Sequence, residues 1–296
     1  MAINTIVAPV SGKATPTYRL VSRAQHRHDT IVFVRGRRIG AGSFGIIAGP
    51  CAVESREQVL QTALAVKNAG ATLFRAGAYK PRTSPYDFQG LGIQGLELLA
   101  EARDATGLPI VTEVMDSEDV EIMAPYVDMF QIGARSMSSF RLLQKVARAG
   151  KPILLKRGYQ ASIREWLMSA EYILAAGNDQ VVLCERGIRT HDAEFTRNTL
   201  DLNAIPLLKI ETHLPVLVDP SHGTGRADLV APMARAAIIA GCDGLMIEVH
   251  PDPARALCDG KQSLAPEEFT SLTGGLAPYL RLAGKTVAEA SLRKPE

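Results

Sequence analysis

His222 stands in the stretch Asp219-Pro-Ser-His-Gly-Thr-Gly-Arg226, directly after the apolar run Pro215-Val-Leu-Val218. An apolar run that stops at Asp-Pro reads as a buried parallel strand. The small-residue turn after it offers backbone N–H groups beside an imidazole and a guanidinium. A lone loop histidine is usually no more than a solvated side chain, but this one has company. Cys51 follows the first apolar run, and Arg75, Lys80, Arg82 and Thr83 follow the second. Glu113 closes the third, Arg135 follows the fourth, and Lys156 closes the fifth. Glu185 and Arg186 come after the sixth, and Glu248, His250, Asp252 and Asp259 after the eighth. Charges at the ends of buried runs are costly unless they meet partners or ligands. Their recurrence at one strand end after another points to a site.

Two subsets carry different chemistry. Arg75, Lys80, Arg82, Arg135, Lys156 and Arg186 are cations in a chain whose formal net charge is only +2. Guanidinium forks match phosphate and carboxylate oxygens, so converging cations call for an anionic substrate. Six of them suit two phosphorylated substrates, or one that also bears a carboxylate. Pairing with Glu113, Glu185 and similar carboxylates is the plainer alternative. The second subset, Cys51, His222, Glu248 and Asp259, offers a thiolate, an imidazole and two carboxylates. That mixture suits Mn²⁺, Fe²⁺, Co²⁺ or Zn²⁺ rather than Mg²⁺.

The elements that must position these groups follow one grammar. Ile31–Val34, a glycine turn and a return through Ile39 read as a hairpin, preceded by an irregular arm over residues 1–28. From Phe44 onward, short apolar runs alternate with helical stretches: Ser55 caps a helix to Ala69, Leu91–Thr106 follows the second run, and Ile163–Ala176 the fifth. The last pair is Gly244–Glu248 and a helix over Pro266–Leu280. Eight such pairs over about 240 residues fit a (β/α)₈ TIM barrel, with an open doubly wound sheet as the alternative. The expected division is an arm and hairpin over 1–43 and a catalytic barrel over 44–296. In the barrel, strands one, seven and eight are neighbours, which brings Cys51, His222 and Glu248 to one place.

Composition excludes other classes. Thirty-three basic residues against 31 acidic ones suggest no nucleic-acid or membrane surface. No apolar run approaches a spanning helix, and the N-terminus lacks a signal-peptide core. Four widely spaced cysteines (Cys51, Cys184, Cys242, Cys258) do not form a disulfide framework, so a reducing, cytoplasmic location is expected.

Gly49-Pro-Cys51, Lys80-Pro-Arg-Thr-Ser84 with Phe88-Gln-Gly90, Gln131-Ile-Gly-Ala-Arg135, Asp219-Pro-Ser-His222 and Glu248-Val-His-Pro-Asp-Pro253 together resemble the 3-deoxy-D-arabino-heptulosonate 7-phosphate (DAHP) synthases. The likeness is to the compact microbial subgroup near the 3-deoxy-octulosonate 8-phosphate synthases. Those sister enzymes usually carry Lys-Ala-Asn-Arg where this chain has Lys80-Pro-Arg-Thr83. The resemblance implies metal-dependent condensation of phosphoenolpyruvate with erythrose 4-phosphate, the first step of the shikimate route. It assigns Arg135 and Arg186 to the phosphoenolpyruvate phosphate, Arg75 and Lys156 to its carboxylate, and Arg82 and Thr83 to the aldose phosphate. Cys51, His222, Glu248 and Asp259 become the metal ligands, His222 counting also among the catalytic groups. Lys80 becomes the general acid, and Glu113 the group that positions a water. A homo-oligomer, dimer or tetramer, is expected. The segment ahead of Phe44 is too short for an appended amino-acid-binding module, so feedback inhibition by aromatic amino acids is not expected. The alternatives are octulosonate 8-phosphate synthesis, another phosphoenolpyruvate–aldose condensation, and a non-catalytic sugar-phosphate-binding barrel.

Overall fold

The computed structural model describes residues 18–82, 84–191 and 194–287, so the expected irregular arm is described only from Tyr18 onward. The hairpin forms as expected. β1 (Val32–Val34) pairs antiparallel with β2 (Arg37–Ile39) around Arg35 and Gly36, both at positive φ. Alternation along each strand buries Val32, Val34 and Ile39 and leaves Phe33 and Arg38 exposed.

The alternating pattern then unrolls as β3 (Ser43–Gly49), α1 (Arg56–Asn68), β4 (Leu73–Arg75), α2 (Ile93–Thr106), β5 (Ile110–Val114) and α3 (Asp119–Met123). It continues as β6 (Met129–Ile132), α4 (Phe140–Arg148), β7 (Ile153–Lys156), α5 (Ile163–Ala175), β8 (Val181–Glu185) and α6 (Ala204–Glu211). The last repeats are β9 (Val216–Val218), α7 (Pro220–Thr224), α8 (Ala227–Ala240), β10 (Gly244–Glu248), α9 (Pro266–Gly274), α10 (Ala277–Leu282) and β11 (Thr286–Val287). β3 to β10 pair in parallel with their sequence neighbours. β10 also pairs with β3, from Gly244↔Gly45 to Glu248↔Gly49, and this closes the ring. A closed eight-stranded barrel excludes the open doubly wound alternative.

Parallel strands buried on both faces read as continuous apolar runs, which is why the strands were legible. Ile47, Leu73, Val111, Met129, Leu154, Val182, Leu217 and Met246 form the barrel interior, and Val32, Val34 and Ile39 of the hairpin join the same cluster. The hairpin closes the floor: Phe33 N donates to Gln180 Oε1, and Arg35 pairs with Asp128, both partners lying just ahead of barrel strands. With the floor filled by the hairpin, the C-terminal mouth is the end of the barrel left for chemistry among the described residues.

Helix starts follow their caps. Ser55 Oγ accepts from Gln58 N at 3.1 Å to begin α1, and Ser162 with Glu165 forms a capping box on α5. Three features differ from the sequence reading. The stretch after β9 is a one-turn helix, α7, rather than a turn, because Asp219 caps it through His222 N and Pro220 occupies its first turn. The helix expected over Pro266–Leu280 breaks at Gly274-Gly275, after which Pro278, which has no N–H to give, starts α10 in its first turn. The short β11, unmarked in the sequence, adds in parallel to Ser43–Phe44 of β3. Among the described residues no helix is long and apolar enough to cross a membrane.

Candidate active site

The strand-end groups meet at the mouth. Arg75, Lys80, Arg82, Arg135, Lys156 and Arg186 all line one cavity, together with Glu113, His222, Cys258 and Asp259. Cys51 and Glu248 lie just behind it, buried against Cys258 and His222 respectively. Thr83 lies outside the described residues.

The expected ligands fall into two overlapping groups. His222, Glu248 and Asp259 form one, and Cys51, Cys258 and Asp259 the other; within each, the ligand atoms lie within 4.8 Å of one another. Barrel closure explains the meeting, since Glu248 is in register with Gly49, two residues before Cys51. His222 Nδ1 lies 2.7 Å from Asp219 Oδ2, an acceptor-only carboxylate, so that nitrogen carries the proton. Burial keeps the His222 ring below the ordinary imidazole value, against the pull of Asp219 and Glu248. Its Nε2 lone pair therefore faces Glu248 Oε1 at 3.3 Å and Asp259 Oδ2 at 3.9 Å. An imidazole nitrogen and two carboxylates converge here, and Cys51 Sγ stands 3.5 Å from the same Asp259 oxygen, although Glu248 Oε1 already accepts from Arg75. These residues fit a divalent metal ion.

Asp219 ties two of these groups together. Its Oδ2 also accepts from Lys156 Nζ at 2.7 Å, and its Oδ1 accepts from His222 N at 2.9 Å. Burial opposes its charge, but the His222 ring and Lys156 hold it well below the usual carboxylate range. It fixes the ring tautomer and the Lys156 ammonium at once.

The cations divide into paired and unpaired. Arg75 Nη1 donates to Glu248 Oε1 at 2.6 Å and to Pro50 O at 2.9 Å, while its buried Nε has no partner among the described residues. Lys80 Nζ donates to Cys51 O at 3.0 Å; burial disfavours its charge, but the Cys51 and Cys258 sulfurs outweigh that and raise its pKa. Arg82 reaches Cys258 Sγ at 2.8 Å and Asp87 at 3.2 Å. Arg135 and Arg186 have no ion pair among the described residues. Arg186 is only 2% exposed, burial lowers its pKa, and its Nη1 has no hydrogen-bond partner among the described residues. A buried guanidinium in that condition is suited to receive an anion. The surplus of positive charge expected from the sequence is therefore narrower than six, and centres on these two arginines.

Glu113 Oε2 accepts from Gln131 Nε2 at 3.1 Å. Its other oxygen occupies the space a side chain at position 133 would need: a Cβ on Gly133 would sit 1.9 Å from Oε1. Glu185 does not line the cavity; it pairs with Arg157, which also binds Asp201. His250 and Asp252 anchor a loop instead. His250 Nε2 meets Glu54 Oε2 at 3.2 Å, and its Nδ1 accepts from Asp252 N. Sequence reasoning missed Arg197, which lines the cavity and donates to Asp259 Oδ1 and Gln262 Oε1, and Gln262, which donates to Glu248 Oε2 at 2.6 Å. No apolar run precedes Arg197. Its only signal was the length of the loop after β8.

Known proteins share this barrel fold. The model of the DAHP synthetase I family matches residues 22–279. The chain belongs to that family. It is 54% identical over 255 residues to the phospho-2-dehydro-3-deoxyheptonate aldolase of Thermotoga maritima, covering 86% of this chain and 75% of that protein. A family relative at greater distance is the 2-dehydro-3-deoxyphosphooctonate aldolase of Syntrophobacter fumaroxidans, 34% identical over 273 residues, 86% of this chain and 93% of that one. The crystal structure of the Thermotoga maritima DAHP synthase superposes with a TM-score of 0.90 at 50% identity, over 93% of this chain and 80% of that one. A truncated form of the Thermotoga maritima enzyme gives 0.85 at 48% identity, over 90% of this chain and 98% of its own.

Proposed function

We propose that this chain condenses phosphoenolpyruvate with erythrose 4-phosphate and water to give 3-deoxy-D-arabino-heptulosonate 7-phosphate and phosphate, the first step of the shikimate pathway. Arg186 carries the proposal. It is a nearly fully buried guanidinium with an unpartnered nitrogen, in a cavity that also holds an ensemble of metal-ligand type. The family and the 54% identical DAHP synthase support the same reading.

In this mechanism Arg135 and Arg186 bind the phosphate of phosphoenolpyruvate. Arg75, which keeps a free Nε, and Lys156, which keeps two ammonium protons beyond the one given to Asp219, bind its carboxylate. Arg82 and Thr83 bind the phosphate of the aldose and fix its aldehyde end toward the enol. C3 of the enol phosphate attacks the aldehyde carbon, and Lys80, held protonated, delivers a proton to the developing alkoxide. Glu113, oriented by Gln131, positions the water that adds to C2. Loss of phosphate then leaves the ketone. Cys51, His222, Glu248 and Asp259 would hold a divalent transition metal, Mn²⁺, Fe²⁺, Co²⁺ or Zn²⁺, which when bound supplies Lewis-acid polarisation of the aldehyde. Asp219 keeps the His222 Nε2 lone pair turned toward that position. A cytoplasmic location and assembly as a dimer or tetramer belong to the same proposal.

The test is product identity. Incubation with both substrates should yield a seven-carbon 3-deoxy-2-keto sugar phosphate by NMR and mass spectrometry, with one phosphate released per molecule formed. Binding of both substrates without a new carbon–carbon bond would overturn the proposal.

A further inference from the structure

Three guanidinium groups gather around one aromatic ring in the wall of the cavity. Tyr159 lies in the loop after β7, and its ring centroid is 4.7 Å from the guanidinium carbon of Arg186, 5.2 Å from that of Arg189 and 5.8 Å from that of Arg135. Arg135 belongs to the turn after β6, and Arg186 and Arg189 to the segment after β8, so one ring joins three successive strand ends. The backbone adds a tie, since Arg189 N donates to Tyr159 O at 2.8 Å. The Tyr159 hydroxyl has no hydrogen-bond partner among the described residues, so the ring face is what the side chain contributes.

Like charges held around one point repel, and a long arginine side chain has much rotamer freedom to lose. The negative face of an aromatic ring opposes both effects, because it attracts each guanidinium and restricts where it can lie. Arg135 and Arg186 have no carboxylate to do this for them, in contrast to Arg75 and Lys156, which are held by Glu248 and Asp219. We infer that Tyr159 is a positioning residue for phosphoenolpyruvate: its ring pre-organises Arg135 and Arg186 to receive the phosphate, without touching the reacting atoms. This rests on the proposed assignment of those two arginines. Preorganisation of a binding group that acts equally before and during the chemical step changes KM and leaves kcat alone.

The experiment is steady-state kinetics on the enzyme as purified, varying each substrate in turn, with calorimetric titration of phosphoenolpyruvate as a second readout. Tyr159→Leu should raise KM for phosphoenolpyruvate roughly fivefold to thirtyfold, because it removes the cation–π attraction to both arginines. Its kcat and its KM for erythrose 4-phosphate should stay within about twofold. Tyr159→Phe, which keeps the ring and drops the hydroxyl, should match the parent. If Tyr159→Leu is too unstable to assay, Tyr159→Met provides the ringless comparison. An equal loss in Tyr159→Phe, an effect shared by both substrates, or no change in phosphoenolpyruvate KM would each overturn the inference. Arg186→Ala separates the two levels. If it leaves phosphoenolpyruvate binding intact, the assignment of the arginines fails and the role of Tyr159 with it. If it weakens binding while Tyr159→Leu does not, only the role of Tyr159 fails.

Discussion

Cys51 Sγ and Cys258 Sγ lie 2.7 Å apart, joining the end of β3 to the loop after β10 across the seam where the barrel closes. Both are free thiols. The Cys51 thiol is pushed well above its ordinary pKa by its hydrogen bond to Cys258 and by burial. Cys258 is lowered, first by its hydrogen bond with Cys51, against burial, and then by Lys80. A lowered thiol beside a second one is the arrangement that oxidises. Metal held by Cys51 should protect the pair.

Metal-free protein aged in air is therefore expected to lose activity as two thiols give two electrons and two protons to dioxygen, forming one disulfide and hydrogen peroxide. Assay with Mn²⁺, with and without a reductant, measures this: activity should return only with the reductant, and peptide mapping should find Cys51 joined to Cys258. Cys258→Ser should resist ageing. If it decays as fast as the parent, the proposal is wrong.

Gly133 gives a prediction that concerns Glu113 alone. A Cβ there would collide with Glu113 Oε1, the mobile end of a side chain, so Gly133→Ala should displace the carboxylate at little cost to stability. A misplaced group that orients water is expected to cost on the order of a hundredfold in kcat. Stopped assays and a thermal melt check it together. An unchanged kcat would count against the role of Glu113, and a large fall in Tm would show damage beyond it.

Metal dependence has a direct check. Chelation should abolish activity, and Mn²⁺ or another first-row divalent ion should restore it better than Mg²⁺, because a sulfur ligand disfavours the harder ion. Cys51→Ala should bind less metal by elemental analysis. Full activity in excess chelator would contradict the ligand assignment.

Much of this architecture could be read from the chain because a barrel strand buried on both faces leaves a continuous apolar run, and the next polar residue marks the mouth. Arg75, Glu113, Lys156 and Glu248 each stand at such an end, and the cavity collects them or their partners. What could not be read were pairings. Asp219 appeared only as part of a motif, yet it binds both Lys156 and His222. Glu185, at an equally good strand end, turns to Arg157 and lines nothing. A strand end fixes where a side chain begins, whereas the partner it meets depends on register with strands far along the chain. Tyr159 and Arg197 sit on loops with no periodic pattern, so only the folded chain reveals them. The helix break falls at Gly274-Gly275, two residues of low helix propensity set between apolar turns.

His213 predicts a pH dependence of stability. It is buried near the barrel floor, with Nδ1 at 2.7 Å from Thr30 Oγ1 and Nε2 at 2.8 Å from Leu20 O. Burial, with His26 and Arg23 nearby, lowers its pKa from 6.5, against Leu20 O and Asp29. A base whose folded pKa is lowered takes up its proton first in the unfolded chain. Stability should therefore fall as pH drops below 6.5 and should be unaffected by this group above it. Melts at about pH 7.5 and about pH 5.5 measure the slope, which His213→Gln should flatten. An identical slope in the variant would remove His213 from the account.

The central claim is the identity of the second substrate, and phosphate release from phosphoenolpyruvate tests it most directly. The enzyme, replete with Mn²⁺, is given erythrose 4-phosphate in one series and arabinose 5-phosphate in another, under otherwise equal conditions. Lys80-Pro-Arg-Thr83 and the 54% identity to a heptulosonate enzyme, against 34% for an octulosonate enzyme, favour the four-carbon sugar. Rapid release with erythrose 4-phosphate and little or none with arabinose 5-phosphate is the result predicted. Faster release with the five-carbon sugar, or release that depends on neither, would contradict it.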